Sequence, residues 1–332
     1  MSDVQFTGTQ RPITALQLRE LCVKRNAPAL LRIAVQYATI LATGWLIYLA
    51  TTAQAWLWLL PLIVAQAYFI GFQFMAVHET AHKTAFRTRW INAVVGQTSG
   101  LLIMLPYEYY TLFHWDHHRY TQDEARDPEL LFKAVPRGWL ARAFTFTGIT
   151  QVLKRFQLMA RHAITGKVTA PWIPEPKRGL VVTEARLYLL AYAVLLAGTL
   201  LLQTAVLLWA WLLPLFVGQL MLRPYLLSEH TGCATTASAF ENTRTTYTNA
   251  AMHWFAWNMP YHAEHHAYPS VPFHALPKLN ALIDRHILHK GNGYRRVVRE
   301  VWDHLRDRAA AQAAAQAAVQ SGSNTESTSA RA

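Results

Sequence analysis

Residues 33–77 read IAVQYATILATGWLIYLATTAQAWLWLLPLIVAQAYFIGFQFMAV, a stretch without one charged side chain. About 20 apolar residues cross a bilayer as a helix, so the stretch is long enough for two crossings. Thr51-Thr52-Ala53-Gln54-Ala55 breaks it near its middle, with Trp45, Tyr48, Trp56 and Trp58 around the break, where aromatic rings sit at a membrane boundary. A second uncharged run, Leu187–Leu222, breaks around Gln203-Thr204, with Trp209 and Trp211 close by. The expected fold class is therefore all-α and polytopic, with two transmembrane helical hairpins. Their spans are expected at about 33–52, 56–77, 187–203 and 205–222, the second pair being shorter.

Composition agrees, because 52% of the residues are hydrophobic and 15% are charged, and the apolar ones are gathered in runs. The formal charge of +12 would fit a nucleic-acid partner in a soluble chain. Here the 31 Lys and Arg residues avoid both turns and fall before residue 33, between His78 and Arg186, and after Leu222. The positive-inside rule then places both termini and the central stretch in the cytoplasm, beside anionic lipid, and no nucleic-acid partner is expected. Residues 1–32 hold Arg11, Arg19, Lys24, Arg25 and Arg32 and no cleavable apolar signal, so they read as a cytoplasmic N-terminal segment. Cys22 and Cys233 fit no Cys-x-x-Cys pattern and are expected as free thiols.

Between and after the runs, Asn92–Leu105 is apolar but too short to span, and reads as an interfacial or re-entrant segment ended by Pro106. Trp139–Phe156 mixes Phe, Leu and Ile with Arg142, Lys154 and Arg155, the pattern of a helix on the membrane surface or of an ordinary packed helix. Pro171, Pro174 and Pro176 mark an extended linker. Ala309–Val319 is a strong helix former, and residues 321–332 are polar and expected to be disordered.

Three histidine clusters stand on the expected cytoplasmic side: His78-Glu79-Thr80-Ala81-His82, His114-Trp115-Asp116-His117-His118, and His262-Ala263-Glu264-His265-His266. Positions i, i+3 and i+4 share one helix face, so each cluster turns its imidazoles to one side. Imidazole is a transition-metal ligand and no core requires three such clusters. The first cluster also satisfies HExxH, the pattern of a zinc metalloprotease with Glu79 activating water. A catalytic zinc takes three protein ligands and an open position, which would leave most of the clustered histidines without a use. Eight or nine nitrogens suit two ions, and affinity alone leaves Fe, Zn, Cu and Ni open. His162, His253, His274, His286, His289 and His304 belong to no cluster and are read as ordinary surface or packing residues.

With those clusters in order, joined by Tyr225-Leu-Leu-Ser-Glu229-His230-Thr-Gly and by Asn258-Met-Pro-Tyr before His262, with Ala-Tyr-Pro-Ser-Val-Pro after His266, the chain resembles the integral-membrane fatty acid desaturase and hydroxylase superfamily from about His78 to Asn280. The resemblance implies a four-span protein whose cytoplasmic helical cap holds two non-haem irons. It implies His78, His82, His114, His117, His118, His262, His265 and His266 as ligands, with His230 as a further one. In acyl-CoA desaturases an asparagine precedes that additional histidine by four residues, and Leu226 stands there in this chain, so Asn258 is the expected substitute, through water or in an outer shell. Glu79, Asp116, Glu229 and Glu264 are expected to accept the second ring N–H of ligating histidines, and Asp127-Pro128-Glu129 recurs in the family without a role derivable from sequence. The implied reaction is desaturation of a lipid acyl chain with O2 and two electrons from a separate ferredoxin-like or cytochrome-like donor. The same site in a hydroxylase, alkane monooxygenase or carotenoid ketolase is the alternative, and a zinc intramembrane protease is the more distant one. The desaturase domain is expected over residues 33–308.

Overall fold

A computed structural model describes residues 12–131 and 136–329, with 318–329 as backbone only. Among the described residues the regular elements are helices, apart from one two-stranded ladder. Helix α1 (Ala15–Leu21) starts at a capping box between Thr14 and Gln17. It leads to α2 (Ala27–Thr52), α3 (Trp56–Gly71) and α4 (Gln73–Ala81). A single irregular residue, Phe72, separates the last two, so Trp56–Ala81 acts as one long rod that ends at the first histidine cluster. Helix α5 (Arg89–Leu102) is the short apolar segment, and α6 (Tyr107–Tyr120) carries the second cluster.

Helices α7 (Gly138–Thr147) and α8 (Ile149–Thr165) replace the single surface helix expected there, because Gly148 adopts φ +67° and breaks the ladder. Helix α9 (Glu175–Leu201) starts just after Pro174 and takes Pro176 into its first turn, so the proline linker is shorter than expected. A π-helical turn, Leu208–Leu212, leads into α10 (Leu213–His230). Then come α11 (Ala239–Asn242), strand β1 (Arg244–Tyr247), α12 (Ala250–Phe255), α13 (His262–Ala267), α14 (Leu276–Ile283), strand β2 (His289–Asn292) and α15 (Tyr294–Ser329). The strands pair in parallel, Arg244 opposite His289 through Tyr247 opposite Asn292, a small departure from an all-α chain. β-branched Thr245 and Thr246 sit at its buried centre, where they suit a pleated ladder.

Among the described residues, four helices are long and apolar enough to cross a membrane: Ala27–Thr52, Trp56–Ala81, Glu175–Leu201 and Leu208–His230. Each extends past the uncharged run at its core, because flanking polar groups find partners. Glu184 in α9 accepts from backbone N–H groups of α6, and Arg186 donates to the Ala163 carbonyl. Of the second pair, Glu175–Leu201 at 27 residues is no shorter than the first pair's 26 each, and Leu208–His230 at 23 is shorter. Large apolar side chains on these helices face outward, Leu57 at 93% and Leu201 at 84% exposure, an arrangement that a lipid solvent rewards and water does not. Between α3 and α10 the backbones nearly touch, and a Cβ on Gly218 would lie 2.5 Å from the Ala67 carbonyl oxygen. Small residues at a crossing are what close helix packing in a membrane needs.

Among α2, α3, α5, α9 and the π-helical turn Leu208–Leu212 lies an apolar cavity of about 710 Å³, bordered by Tyr37, Ile40, Ile70, Leu102 and Trp211. At the C-terminal end, α15 continues through Ser329 where a disordered tail was expected. No proline interrupts it, so a helix already nucleated at Tyr294 propagates. The expectations for residues 1–11 and 330–332 lie outside the described residues.

Candidate metal centre

Four helices bring the imidazoles together. His78 stands in the last turn of α4 and His82 caps it. His114, His117 and His118 share one face of α6, His230 ends α10, and His262, His265 and His266 make up half of α13. α13 is aimed by a turn in which Trp257 and Asn258 adopt φ +50° and +59°. Asparagine tolerates that left-handed region, and the Asn258 amide donates to the Phe273 carbonyl at 3.0 Å. On the other side, Arg32 of α2 donates to the His253 carbonyl and stacks over Trp254 and Phe273, tying α2 to the same turn. Arg244 closes the end of α10 by donating to the carbonyls of Ser228 and Thr231.

The side chains form two groups whose ring nitrogens lie within 4.8 Å of one another: His78, His82, His114, His118 and His265, and His117, His230 and His266. His262 joins the second through its Nε2, 3.1 Å from Nε2 of His230. All are buried except His118, which is partly so. His162, His253, His274, His286, His289 and His304 lie in neither group.

The tautomers in the second group follow from their partners. His117 Nδ1 lies 2.9 Å from Oδ1 of Asp127, and His230 Nδ1 lies 3.2 Å from the Asn242 carbonyl oxygen. A carboxylate and a carbonyl accept, so both Nδ1 atoms carry the proton and both Nε2 atoms carry a lone pair. Those two Nε2 atoms face each other at 3.3 Å. Thr121 spends its hydroxyl proton on the His117 carbonyl, so at 3.2 Å it accepts from Nδ1–H of His266, whose Nε2 is buried without a partner. Three lone pairs thus converge where no proton can reconcile them. A cation does so, since two nitrogens held about 2.0–2.1 Å from one ion stand about 3 Å apart.

In the first group Nε2 of His82 lies 2.8 Å from that of His114 and 3.1 Å from that of His265, and His118 stands 3.1 and 3.2 Å from His114 and His265. Each of these four nitrogens meets two others, while two shared protons can make only two linear hydrogen bonds among the four contacts, and neither nitrogen of His78 has a hydrogen-bond partner. Burial first, and then mutual repulsion, hold His82, His114, His118, His262, His265 and His266 well below the ordinary imidazole range. These rings are therefore neutral at pH 7, the form that ligates. The donor set fits a nitrogen-rich metal centre.

The acids expected beside the ligands divide. Glu79 places Oε1 3.7 and 3.9 Å from Nδ1 of His78 and His265, while Oε2 accepts from the Phe273 N–H. Glu229 places Oε1 3.4 Å from Nδ1 of His262. Asp116 instead pairs with Arg119 at 3.7 Å on the outer side of α6. Glu264 accepts from Thr245 and Asn280, and burial pushes its carboxyl up to about 6. Its i+1 and i+2 neighbours His265 and His266 point inward, so by helix geometry Glu264 turns to the other side. Asp127 and Thr121 are partners that cluster spacing does not reveal. Asp127 follows His117 through a turn in which it accepts the N–H groups of Gln122 and Glu129, and that turn brings it back against the ring.

A family model for fatty acid desaturase matches residues 55–298. Among curated proteins the chain is 31% identical over 242 residues to a sphingolipid delta(4)-desaturase DES1 of Drosophila melanogaster, covering 69% of this chain and 67% of that one. It is 26% identical over 246 residues to a putative sphingolipid delta(4)-desaturase/C4-monooxygenase of Caenorhabditis elegans, covering 67% of this chain and 59% of that one.

Proposed function

The chain belongs to the fatty acid desaturase family and is an oxygen-dependent oxidoreductase of lipid metabolism held in the membrane, and on that premise we propose that it introduces a carbon–carbon double bond into a long lipid chain at a di-iron centre. The names of the two relatives favour a sphingoid or similar long-chain lipid over a soluble acyl carrier. The observation that carries the reading is the convergence of unshared imidazole lone pairs in two adjacent groups. Bound iron would supply activation of O2 and removal of hydrogen from an unactivated C–H bond, with two electrons drawn from a separate donor. His78, His82, His114, His118 and His265 would hold one ion, and His117, His230, His262 and His266 the other.

The protein's own part is orientation and exclusion of water. Asp127, Thr121 and the Asn242 carbonyl fix three rings in the ligating tautomer, as outer partners of metal-bound histidines do. Glu79 and Glu229 face the second nitrogens of further rings, while Asn258 serves the turn that aims α13. The apolar cavity among the membrane helices suits a hydrocarbon chain.

We propose for the same reason that the spans form two hairpins with the histidine-bearing cap, residues 1–32 and the C-terminal end on the cytoplasmic side, where the Lys and Arg residues gather. The desaturase domain then covers 33–308. Hydroxylation from the same site is the second reading, favoured by the C4-monooxygenase activity in the name of the C. elegans relative.

Metal content and lipid products, measured together in membranes carrying the chain or its His265→Ala and His266→Ala variants, test this. Two irons per chain and a new unsaturated lipid, both diminished in the variants, are expected. A hydroxylated product would select the second reading. One zinc per chain, with activity indifferent to both substitutions but abolished by Glu79→Gln, would replace it with a protease.

A further inference from the structure

The electrons that this reading requires must reach a buried centre from outside. Three aromatic rings pack on the clustered histidines: Phe74 on His78, Tyr110 on His114 and Trp115 on His82. Phe74 and Tyr110 are buried, whereas Trp115 is 50% exposed. Its indole lies over the His82 ring, centroids 6.1 Å apart and planes 29° from parallel, and its Nε1–H donates to the Ala81 carbonyl at 3.0 Å. One face of this side chain therefore meets the surroundings and the other meets a candidate ligand.

The surface about it is basic. Lys83 follows His82 directly and is exposed, and the Lys24 ammonium donates to the Lys83 carbonyl at 2.8 Å. Arg119 stands one helical turn beyond Trp115 on the same face of α6, 56% exposed. Against these three cations stands Asp116, paired with Arg119. An exposed tryptophan with exposed cations beside its His82 neighbour and one helical turn away has the composition of an interface centre, since Trp and Arg dominate such centres and complementary charge speeds encounter.

We propose that Trp115, Lys24, Lys83 and Arg119 form the docking surface for a small acidic one-electron carrier protein, with the indole as the point of electron entry toward His82. This rests on the oxidoreductase reading above. At each docking the carrier is oxidised by one electron, which passes across the indole to the metal held by the histidines. Two dockings supply the two electrons, and no covalent bond changes at Trp115.

The test uses the full-length protein in nanodiscs with two probes, a reduced [2Fe–2S] ferredoxin and the soluble haem domain of a cytochrome b5. Affinity is measured on metal-free and metal-loaded protein over a range of salt, and oxidation of the reduced probe is followed by stopped flow. Lys83→Glu combined with Arg119→Glu should weaken binding about tenfold at low salt and flatten its salt dependence. Trp115→Leu should slow oxidation of saturating probe about tenfold, and Trp115→Phe should restore most of the rate. Metal content is measured for every variant and rates are compared per bound metal ion, so that loss of metal in the leucine variant does not register as slow electron transfer. Unchanged affinity in the charge reversal, or equal rates in all Trp115 variants, overturns the proposal, as would be found for an indole that only anchors the cap to lipid. A wild type that is reduced by dithionite but by neither probe also overturns it while leaving the oxidoreductase reading intact. A wild type without redox-active metal removes that reading itself.

Discussion

His117 donates its Nδ1–H to Oδ1 of Asp127 at 2.9 Å, and this one contact turns the opposite nitrogen, with its lone pair, toward Nε2 of His230. The carboxylate is itself held by two backbone N–H groups, from Gln122 and Glu129, so it is a fixed acceptor. Removing such an outer partner commonly costs about 10–100-fold in metal affinity. Asp127→Ala is expected to lower metal content by up to about half, from the His117 group, while the five-histidine group keeps its ion. Elemental analysis of purified protein checks this, and full occupancy in the variant would refute the assignment.

Glu184 of α9 accepts the N–H of Glu108 at 2.7 Å and of Tyr109 at 3.2 Å, and the amide of Gln97 at 2.9 Å. It thereby satisfies the start of α6, the helix that carries His114, His117 and His118, from a neighbouring helix. Leaving buried donors unmet costs about 1–3 kcal/mol. Glu184→Ala should lower the melting temperature and the metal content together, with Glu184→Gln intermediate because it still accepts through one oxygen. Thermal unfolding in detergent, followed by circular dichroism, reads the first effect.

At the crossing of α3 and α10, the atom that a Cβ on Gly218 would strike is backbone, so no side chain can give way. Overpacking of this kind costs about 1–3 kcal/mol or more. Gly218→Val should part the rods that end in His78 and His230, and yield protein with a lower melting temperature and less bound metal. Equal stability in the variant would show that the crossing tolerates a wider gap.

The clustered imidazoles outside the spans are held neutral in the folded chain, their titration displaced below the ordinary 6.5. Below pH 6.5 the unfolded chain binds protons that the folded chain refuses, so stability rises with pH. The contribution is complete above about 6.5 and is lost progressively as the pH falls below it. Melting temperatures of metal-free protein at pH 8, 7, 6 and 5 should be level between the first two and decline afterwards. The metal-loaded protein should release its ions over the same descent, since protons compete for the same lone pairs. A melting temperature that rises on acidification would contradict this.

Hydropathy and spacing made the helices and the histidines legible. The uncharged runs locate the cores of all four membrane-length helices, but they miss the ends, because Glu175–Arg186 carries charges whose partners lie on α6 and α8. Gly148 did not announce itself as a helix break, since glycine is tolerated within helices and its φ of +67° is read only from the backbone. The acids adjacent to the clusters were treated alike on sequence, yet Asp116 faces Arg119 and Glu264 faces Asn280, while Asp127, outside any cluster, meets a ring.

What the sequence alone determined is the membrane class and the eight clustered histidines, because both depend on local rules: the length of an apolar run against a bilayer, and the i, i+3, i+4 periodicity of one helix face. His230 stands alone in its helix and is reached only through the family resemblance. Only the tertiary structure decided how those histidines divide between two groups, which outer residues fix their tautomers, and which surface leads to them. These depend on contacts between α4, α6, α10 and α13 across as many as 187 positions, as between His78 and His265. Pattern along a chain records which face a residue takes on its own helix, and the packing of helices against one another decides what that face meets.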